Sequence, residues 1–228
     1  MQNQIKLGAR LKAAADFVKS GLPTADIGTD HAYLPVYLVS SGILDSAFAS
    51  DINEGPLENA RQTAIKYNLQ DKITLRLSDG LMAYKEDEIK QIIICGMGGE
   101  LIAKILSDWA HTQSEGMRLI LQPMSKPEVL RQYLAESGFK ITEEKGAFDD
   151  GRYYTVICAE YSGEPIECDE LYLAIGGLKA VKTHESEGYK RMCLRRLDKK
   201  IVGIASQNPD SEEIKSLKKL REEIEKTI

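Results

Sequence analysis

The sequence predicts an α/β chain: a parallel sheet flanked by helices, ended by an antiparallel β-hairpin and followed by a helical C-terminal region. Three observations predict it. Over the first 160 residues, short apolar runs alternate with helical patterns. Two strand-like runs then meet at Phe148-Asp149-Asp150-Gly151, a hairpin signal. Beyond Gly163 the apolar periodicity is that of helices alone.

The elements follow in order. Residues 6–20 read as an amphipathic helix, with Leu7, Leu11, Ala14 and Val18 near helical spacing. Ala25-Asp26-Ile27 ends a first strand, and residues 34–41 form a helix stopped by Gly42. Residues 47–50 are a second strand ending at Asp51. Residues 56–67 are a helix with Pro56 suited to its first turn. A third strand, 73–77, ends at Ser78-Asp79-Gly80. A fourth, 92–95, ends at Gly96-Met97-Gly98-Gly99, read as a glycine turn. A fifth, 119–121, ends at Gln122-Pro123-Met124, and residues 126–137 are a helix closed by Gly138. Residues 139–146 and 152–161 make the hairpin. Five parallel β/α units closed by such a hairpin are the layout of the class I, Rossmann-like methyltransferase sheet. A plain dinucleotide-binding domain would not end that way.

Residues 171–182 and 185–206 read as helices. Residues 210–228 follow a Gln207-Asn208-Pro209 break, with Asp210 and Glu213 as a capping box. Tyr189, Cys193, Leu197, Ile201 and Ile204 form one apolar stripe; Ile214, Leu217, Leu220, Ile224 and Ile228 form another. A helical hairpin with a coiled-coil-like seam is expected. The predicted division is a cofactor-binding catalytic domain over residues 1–163 and a helical domain over residues 164–228.

A chain of 228 residues suffices for one full domain and an appendage. No apolar run is long enough to span a bilayer, and Met1-Gln2-Asn3-Gln4-Ile5-Lys6 lacks a signal-peptide core, so a cytoplasmic protein is expected, with no membrane partner. Cys95, Cys158, Cys168 and Cys193 are scattered, with no CxxC pair or Cys/His cluster. Free thiols and no metal site are expected. A net charge of −5 excludes a generally basic nucleic-acid coat but not a local patch.

The stretch Asp26-Ile27-Gly28-Thr29-Asp30-His31-Ala32-Tyr33-Leu34-Pro35 resembles a nucleotide-binding strand–loop–helix turn with altered glycine spacing. Asp30 stands where a dinucleotide fingerprint has its second glycine. A carboxylate there repels a pyrophosphate and suits a cofactor with a cationic centre, such as S-adenosylmethionine. Asp51, 23 residues after Gly28, can accept both ribose hydroxyl hydrogens. Asp79 can accept from an adenine amine, with Gly80 leaving room for the ring. Each acid alone reads equally as a helix cap or loop residue; acids closing strands two and three with glycines closing one and four form a joint pattern. His31 is either a cofactor or substrate contact or a helix-start residue bonded to local backbone. His111 and His184 read as structural.

The first loop, Gly96-Met97-Gly98-Gly99 and Gln122-Pro123-Met124 together resemble the bacterial TrmK family of tRNA methyltransferases. Arg10-Leu11, Asp51, Ser78-Asp79-Gly80 and Gly151-Arg152-Tyr153-Tyr154 fit too, and the resemblance covers the whole chain. It implies S-adenosylmethionine-dependent methylation of N1 of adenine 22 in tRNA, by a protein expected to act as a monomer. The residues expected at the cofactor are Asp26, Gly28, Asp30, His31, Asp51, Ile52, Asn53, Ser78, Asp79, Gly80, Gly96, Met97 and Gly98.

Adenine N1 carries a lone pair and needs no proton removed before attack, so proximity and orientation dominate. Asp30, with His31 beside it as a catalytic candidate, either accepts from the target's amine or faces the sulfonium. The base must be displaced into the pocket. Tyr33, Tyr153 and Tyr154 are candidate stacking partners, although Tyr153 and Tyr154 read equally as sheet packing. Gln122, Pro123 and Met124 are expected to line the far wall, with Arg10 and Arg152 at the substrate. Between Gly176 and Ser206, eight cationic residues stand against three acids, a local net of +5 in a chain whose remainder is near −10. Lys190, Arg191, Arg195 and Lys199 are the expected tRNA contacts there, with Arg191, Arg195 and Lys199 on one ridge at helical spacing. A solvated charged face is the alternative. Two other functions fit less well: a protein or small-molecule methyltransferase, and a non-catalytic RNA-binding module with a vestigial pocket.

Overall fold

Strands as apolar as Ile92-Ile93-Ile94 need cover on both faces, and the fold provides it. The computed structural model describes residues 5–208 and 211–228. Strands β1 (Thr24–Ile27), β2 (Ala47–Asp51), β3 (Ile73–Leu77), β4 (Gln91–Gly98), β5 (Arg118–Ser125), β6 (Phe139–Asp149) and β7 (Arg152–Tyr161) form one sheet. Their order is β3-β2-β1-β4-β5-β7-β6. The first five are parallel, and β7 runs antiparallel to both β5 and β6. Ile93 and Ile120 face a core shared with α1 (Ala9–Ala15), α2 (Tyr33–Ser40) and α3 (Glu54–Lys66). Ile92, Ile94, Leu119 and Leu121 face the opposite core with α4 (Gly99–Ser107) and α5 (Pro127–Glu136).

The C-terminal region comprises α6 (Glu170–Ile175), a 3-10 turn over Gly176–Ala180, α7 (His184–Ala205) and α8 (Glu212–Glu225). It has its own apolar cluster, centred on Ile175, Leu178, Tyr189 and Ile224. Helices α7 and α8 run antiparallel: Lys200 meets Glu213 at 2.8 Å, while Lys190 Nζ donates to Thr227 O at 3.0 Å. Arg131 of α5 and Glu144 of β6, both fully buried, join this region to the sheet. Arg131 donates to Glu144 Oε1 from Nη2 at 2.6 Å and from Nε at 3.2 Å. Its Nη1 donates to Leu173 O and Ala174 O at 2.7 and 3.1 Å. Glu144 also accepts from Thr155 Oγ1 at 2.5 Å and from Gly177 N–H at 2.8 Å.

Several expected boundaries shift for physical reasons. The first helix spans Ala9–Ala15 instead of residues 6–20. Phe17 and Val18 N–H bond back three residues, tightening the last turn into a stop. Strand β4 continues through Gly98 in place of a free glycine turn, paired with β5 through register shifts around Met97. Strand β5 therefore extends through Gln122, Pro123 and Met124. The expected helix 171–182 breaks at Gly176, which has φ +51° and lies where a Cβ would meet Glu144 Oε2 at 2.3 Å. Pro209 and the expected cap Asp210 lie outside the described residues; Ser211 is the N-cap of α8, accepting from Glu213 N–H at 3.2 Å.

Substituting Glu144→Ala leaves the Arg131 guanidinium buried without a counter-charge. We expect a loss of about 3–5 kcal/mol in unfolding free energy by urea titration. Lys200→Ala removes only an exposed ion pair and is expected to cost less than about 1 kcal/mol in the same assay.

Candidate active site

The chain runs outward from β1 through β2 to β3, then crosses back to place β4 on the other side of β1, so the strand order reverses between β1 and β4. In open α/β sheets, ligands lie at that switch point, beyond the carboxyl ends of the strands. The loop after β1 is folded tightly there. Gly28 and Thr29 N–H both donate to Ser50 O, at 2.8 and 2.9 Å. Gly28 has φ +75°, a conformation that favours glycine, and a Cβ on it would lie 2.0 Å from the terminal methyl of Met97, which would have to move aside. Ala32, at φ 52°, carries a left-handed turn into α2, strain of the kind that collects at functional loops. Asp30 is exposed at the mouth, with Oδ2 3.3 Å from His31 Nε2. The His31 ring stacks on Tyr33, centroids 5.0 Å apart and planes 9° apart. Arg10, Asp26, Gly28, Asp30, His31, Tyr33, Cys95 and Gly96 line a cleft of about 340 Å³. A larger cleft, about 680 Å³, runs along β6 and receives no residue of β1–β4. The switch-point cleft is therefore the candidate site.

The ends of β2 and β3 complete it. Asp51 Oδ1 accepts from Asn53 N–H at 2.9 Å. The Ser78 hydroxyl donates to Gly80 O at 2.8 Å and accepts from Ala83 N–H at 3.1 Å, bracing the loop that carries exposed Asp79. Ile52, Leu77, Met82 and Leu101 are apolar yet exposed, each at or within five residues of the carboxyl end of β2, β3 or β4. Leu77, Met82 and Leu101 escaped the sequence reasoning. Their signal was apolar side chains at a strand end and in a helix first turn beside paired carboxylates. These residues fit an adenosine moiety: apolar walls for the ring, Asp51 and Asp79 as acceptors for hydroxyl and amine hydrogens. Gly28 and Gly98 keep the approach open; a Cβ on Gly98 would lie 3.2 Å from Ser125 Oγ.

Four expected substrate contacts are corrected. Gln122 is fully buried and its polar atoms are engaged: Oε1 accepts from Arg10 Nη1 at 2.5 Å and from Gly96 N–H at 3.1 Å, and Nε2 donates to Pro123 O at 2.9 Å. It holds Arg10 and the Gly96 backbone instead of lining a wall. Pro123 is buried in β5 beside it. Tyr154 faces the sheet core and is buried. Lys190 is fully buried, donating to Val181 O and Thr227 O at 3.0 Å each. It sits one residue from the exposed ridge, about 100° around the helix. Arg191, Arg195 and Lys199 are exposed along α7, Arg191 lying 3.5 Å from Glu187. Met124 and Arg152 are exposed and Tyr153 is half-buried.

Residues 7–157 match the family model described as a methyltransferase domain. The chain is 36% identical over 176 residues to the tRNA (adenine(22)-N(1))-methyltransferase of Bacillus subtilis, covering 77% of this chain and 74% of that protein. The chain belongs to the TrmK family. The crystal structure of Bacillus subtilis TrmK superposes with a TM-score of 0.84 at 31% identity, covering 98% of this chain and 99% of that one. TrmK of Mycoplasma capricolum, solved with S-adenosylhomocysteine, gives 0.76 at 28% identity over 96% of each chain. The TrmK likeness thus includes the C-terminal helices, which the family model leaves out.

Burial pushes the Asp26 carboxyl up to about 6. Burial likewise raises the Cys95 thiol, the Asp26 charge adding to the effect, so Cys95 stays a neutral thiol at pH 7. Asp26 is raised in the folded state, so the fold holds more protons than the unfolded chain between pH 4 and 6. Its contribution to stability therefore falls as pH rises through that window, by on the order of 3 kcal/mol. Asp26→Asn is expected to flatten that slope and to be the more stable protein at pH 7, measured by urea unfolding across pH.

Proposed function

We propose that this chain transfers the methyl group of S-adenosylmethionine to N1 of adenine 22 in tRNA, working in the cytoplasm. Membership of the TrmK family carries the target. The switch-point cleft, with carboxylates after β1, β2 and β3, supports the cofactor. S-adenosylmethionine supplies an electrophilic methyl on a cationic sulfur. Asp51 accepts the ribose hydroxyls, and Asp79 accepts the adenine amine, its ring between Ile52, Leu77, Met82 and Leu101. Gly28, Gly96 and Gly98 let backbone approach where a side chain would block, and Met97 closes the floor beneath Gly28.

The target N1 is already nucleophilic, so the chain has no base to supply at that atom. It has to orient the ring and stabilise the positive charge that N1 methylation creates. Asp30 is exposed at the cleft mouth, where its carboxylate can accept from the target's N6 amine as that charge develops. His31 holds Asp30 from one side and stacks on Tyr33, which offers a ring face to the displaced adenine. Arg191, Arg195 and Lys199 meet the tRNA phosphates from the helical domain, residues 164–228, while the catalytic domain, residues 1–163, holds cofactor and base.

Labelled S-adenosylmethionine incubated with unmodified tRNA transcripts is expected to label a transcript with adenine at position 22. The same transcript with guanine there should stay unlabelled; label on neither, or on both alike, overturns the assignment. Asp30→Ala is expected to lower kcat about a hundredfold with cofactor affinity, measured by calorimetry, retained. Replacing Arg191, Arg195 and Lys199 together by Gln should weaken tRNA binding. It should also reduce the slope of log affinity against log salt by about one for each phosphate no longer neutralised.

A further inference from the structure

Among the described residues, Phe148 is the one large apolar side chain left exposed on β6, at 44%. A lone exposed Phe means little by itself, but three features set this one apart. The first is its location. Strands β5 and β6 both pair antiparallel with β7, so β6 runs in the direction of β1–β5. Its end therefore reaches the same sheet edge as the candidate cofactor crevice.

The second feature is rigidity. Phe148 pairs in register with Tyr153 across the hairpin, ring centroids 4.7 Å apart. Tyr153 is wedged under α7, where a Cβ on Gly188 would fall 2.0 Å from its ring, and His184 closes the far side edge-on at 6.4 Å. The ring is thus held before any ligand arrives, which lowers the ordering cost of stacking.

The third is continuity with the site. Asp149, the next residue, lies 3.9 Å from Arg10 Nε, and Arg10 lines the cleft with Asp30, His31 and Tyr33. Phe148 itself lines the cleft along β6, on the strand face opposite Asp149, so the hairpin tip joins that cleft to the wall that Arg10 makes. Asp149 and Asp150 stand against Arg10 and Arg152 at the hairpin tip, so the tip carries no net charge to draw a phosphate and leaves a base face as the part of RNA that suits Phe148.

We infer that Phe148 is a substrate-binding residue that stacks a nucleobase of the tRNA neighbouring the displaced target adenine. A base unstacked to expose its neighbour presents two π-faces, and an aromatic side chain takes one regardless of base identity. The inference rests on the tRNA reading above and adds the residue that receives the second base.

The test compares the full-length protein with Phe148→Ala and Phe148→Trp. The probe is an unmodified tRNA transcript with adenine at position 22. Filter retention without cofactor gives tRNA affinity, and steady-state methylation gives KM and kcat. Phe148→Ala is expected to weaken tRNA binding and raise KM for tRNA about ten- to a hundredfold. KM for S-adenosylmethionine, kcat at saturating tRNA and the urea midpoint should be unchanged, and Phe148→Trp should restore affinity. Unchanged tRNA affinity in Phe148→Ala, or a loss that Trp does not restore, overturns the inference. If the wild type binds but never methylates the transcript, the functional assignment fails instead, and the binding comparison still decides the role of Phe148. A wild type that does not retain the transcript overturns both.

Discussion

One buried ion pair fixes how the two parts of this molecule sit together. Arg131 and Glu144 are both excluded from solvent, and each needs every partner it has. A charge buried without a counter-charge is among the costliest defects a fold can carry. Glu144 therefore draws in Arg131 from α5, Thr155 from β7 and the Gly177 amide from the 3-10 turn, while Arg131 takes the carbonyls at the end of α6. Helix α6 has to stop where it does, because only a glycine at 176 leaves room for the pair. The chain beyond Gly176 then enters α7 close against the hairpin. Gly146 N–H donates to Ser186 Oγ at 3.2 Å, and Gly188 admits the Tyr153 ring. The orientation of the basic ridge relative to the sheet edge follows from that series of interactions.

A second buried polar side chain does for the active site what Glu144 does for the junction between sheet and helices. Gln122 joins α1 to the β4 backbone through Arg10 and Gly96, so the first helix, remote in sequence, becomes a wall of the cleft. Gly96, at φ +87°, takes a backbone conformation that favours glycine as it turns beside the guanidinium. The side chain that positions the cleft is thus hidden from it.

The sheet was largely legible because its strands are continuous apolar runs ended by glycine or acid, and both faces of Ile92-Ile93-Ile94 are covered. The carboxylates after β1, β2 and β3 were legible for the same reason: they follow apolar runs that must stop. What could not be read was which polar residues turn inward. Gln122 and Lys190 carry groups that ordinarily face water. Their burial depends on partners far away in sequence: Arg10 in one case, and in the other the carbonyls of Val181 and of Thr227 at the end of α8. Lys190 differs from Arg191 only by the angle one residue subtends on a helix, and charge counting cannot resolve that. Tyr154 faces the core because strand alternation puts it opposite Tyr153, which sequence left open between the two.

Asp30 and Asp26 show how position sorts two carboxylates of one loop. Asp26 lies in β1 within the protein, where burial holds its proton on to a higher pH than usual. Asp30 stands four residues later with three quarters of its side chain in solvent, steadied by His31. A buried acid with a raised pKa carries less charge to offer an incoming base and sits beneath the glycine turn. An exposed acid at the mouth meets whatever enters from solvent. The same loop thereby sorts its carboxylates: Asp26 belongs to the floor that shapes the turn, and Asp30 to the exposed mouth of the cleft. An ordinary dinucleotide fingerprint needs a glycine at that point because a phosphate must pass close by. On the function proposed above, the passing group is a base with an amine to donate, and a carboxylate is the complementary choice.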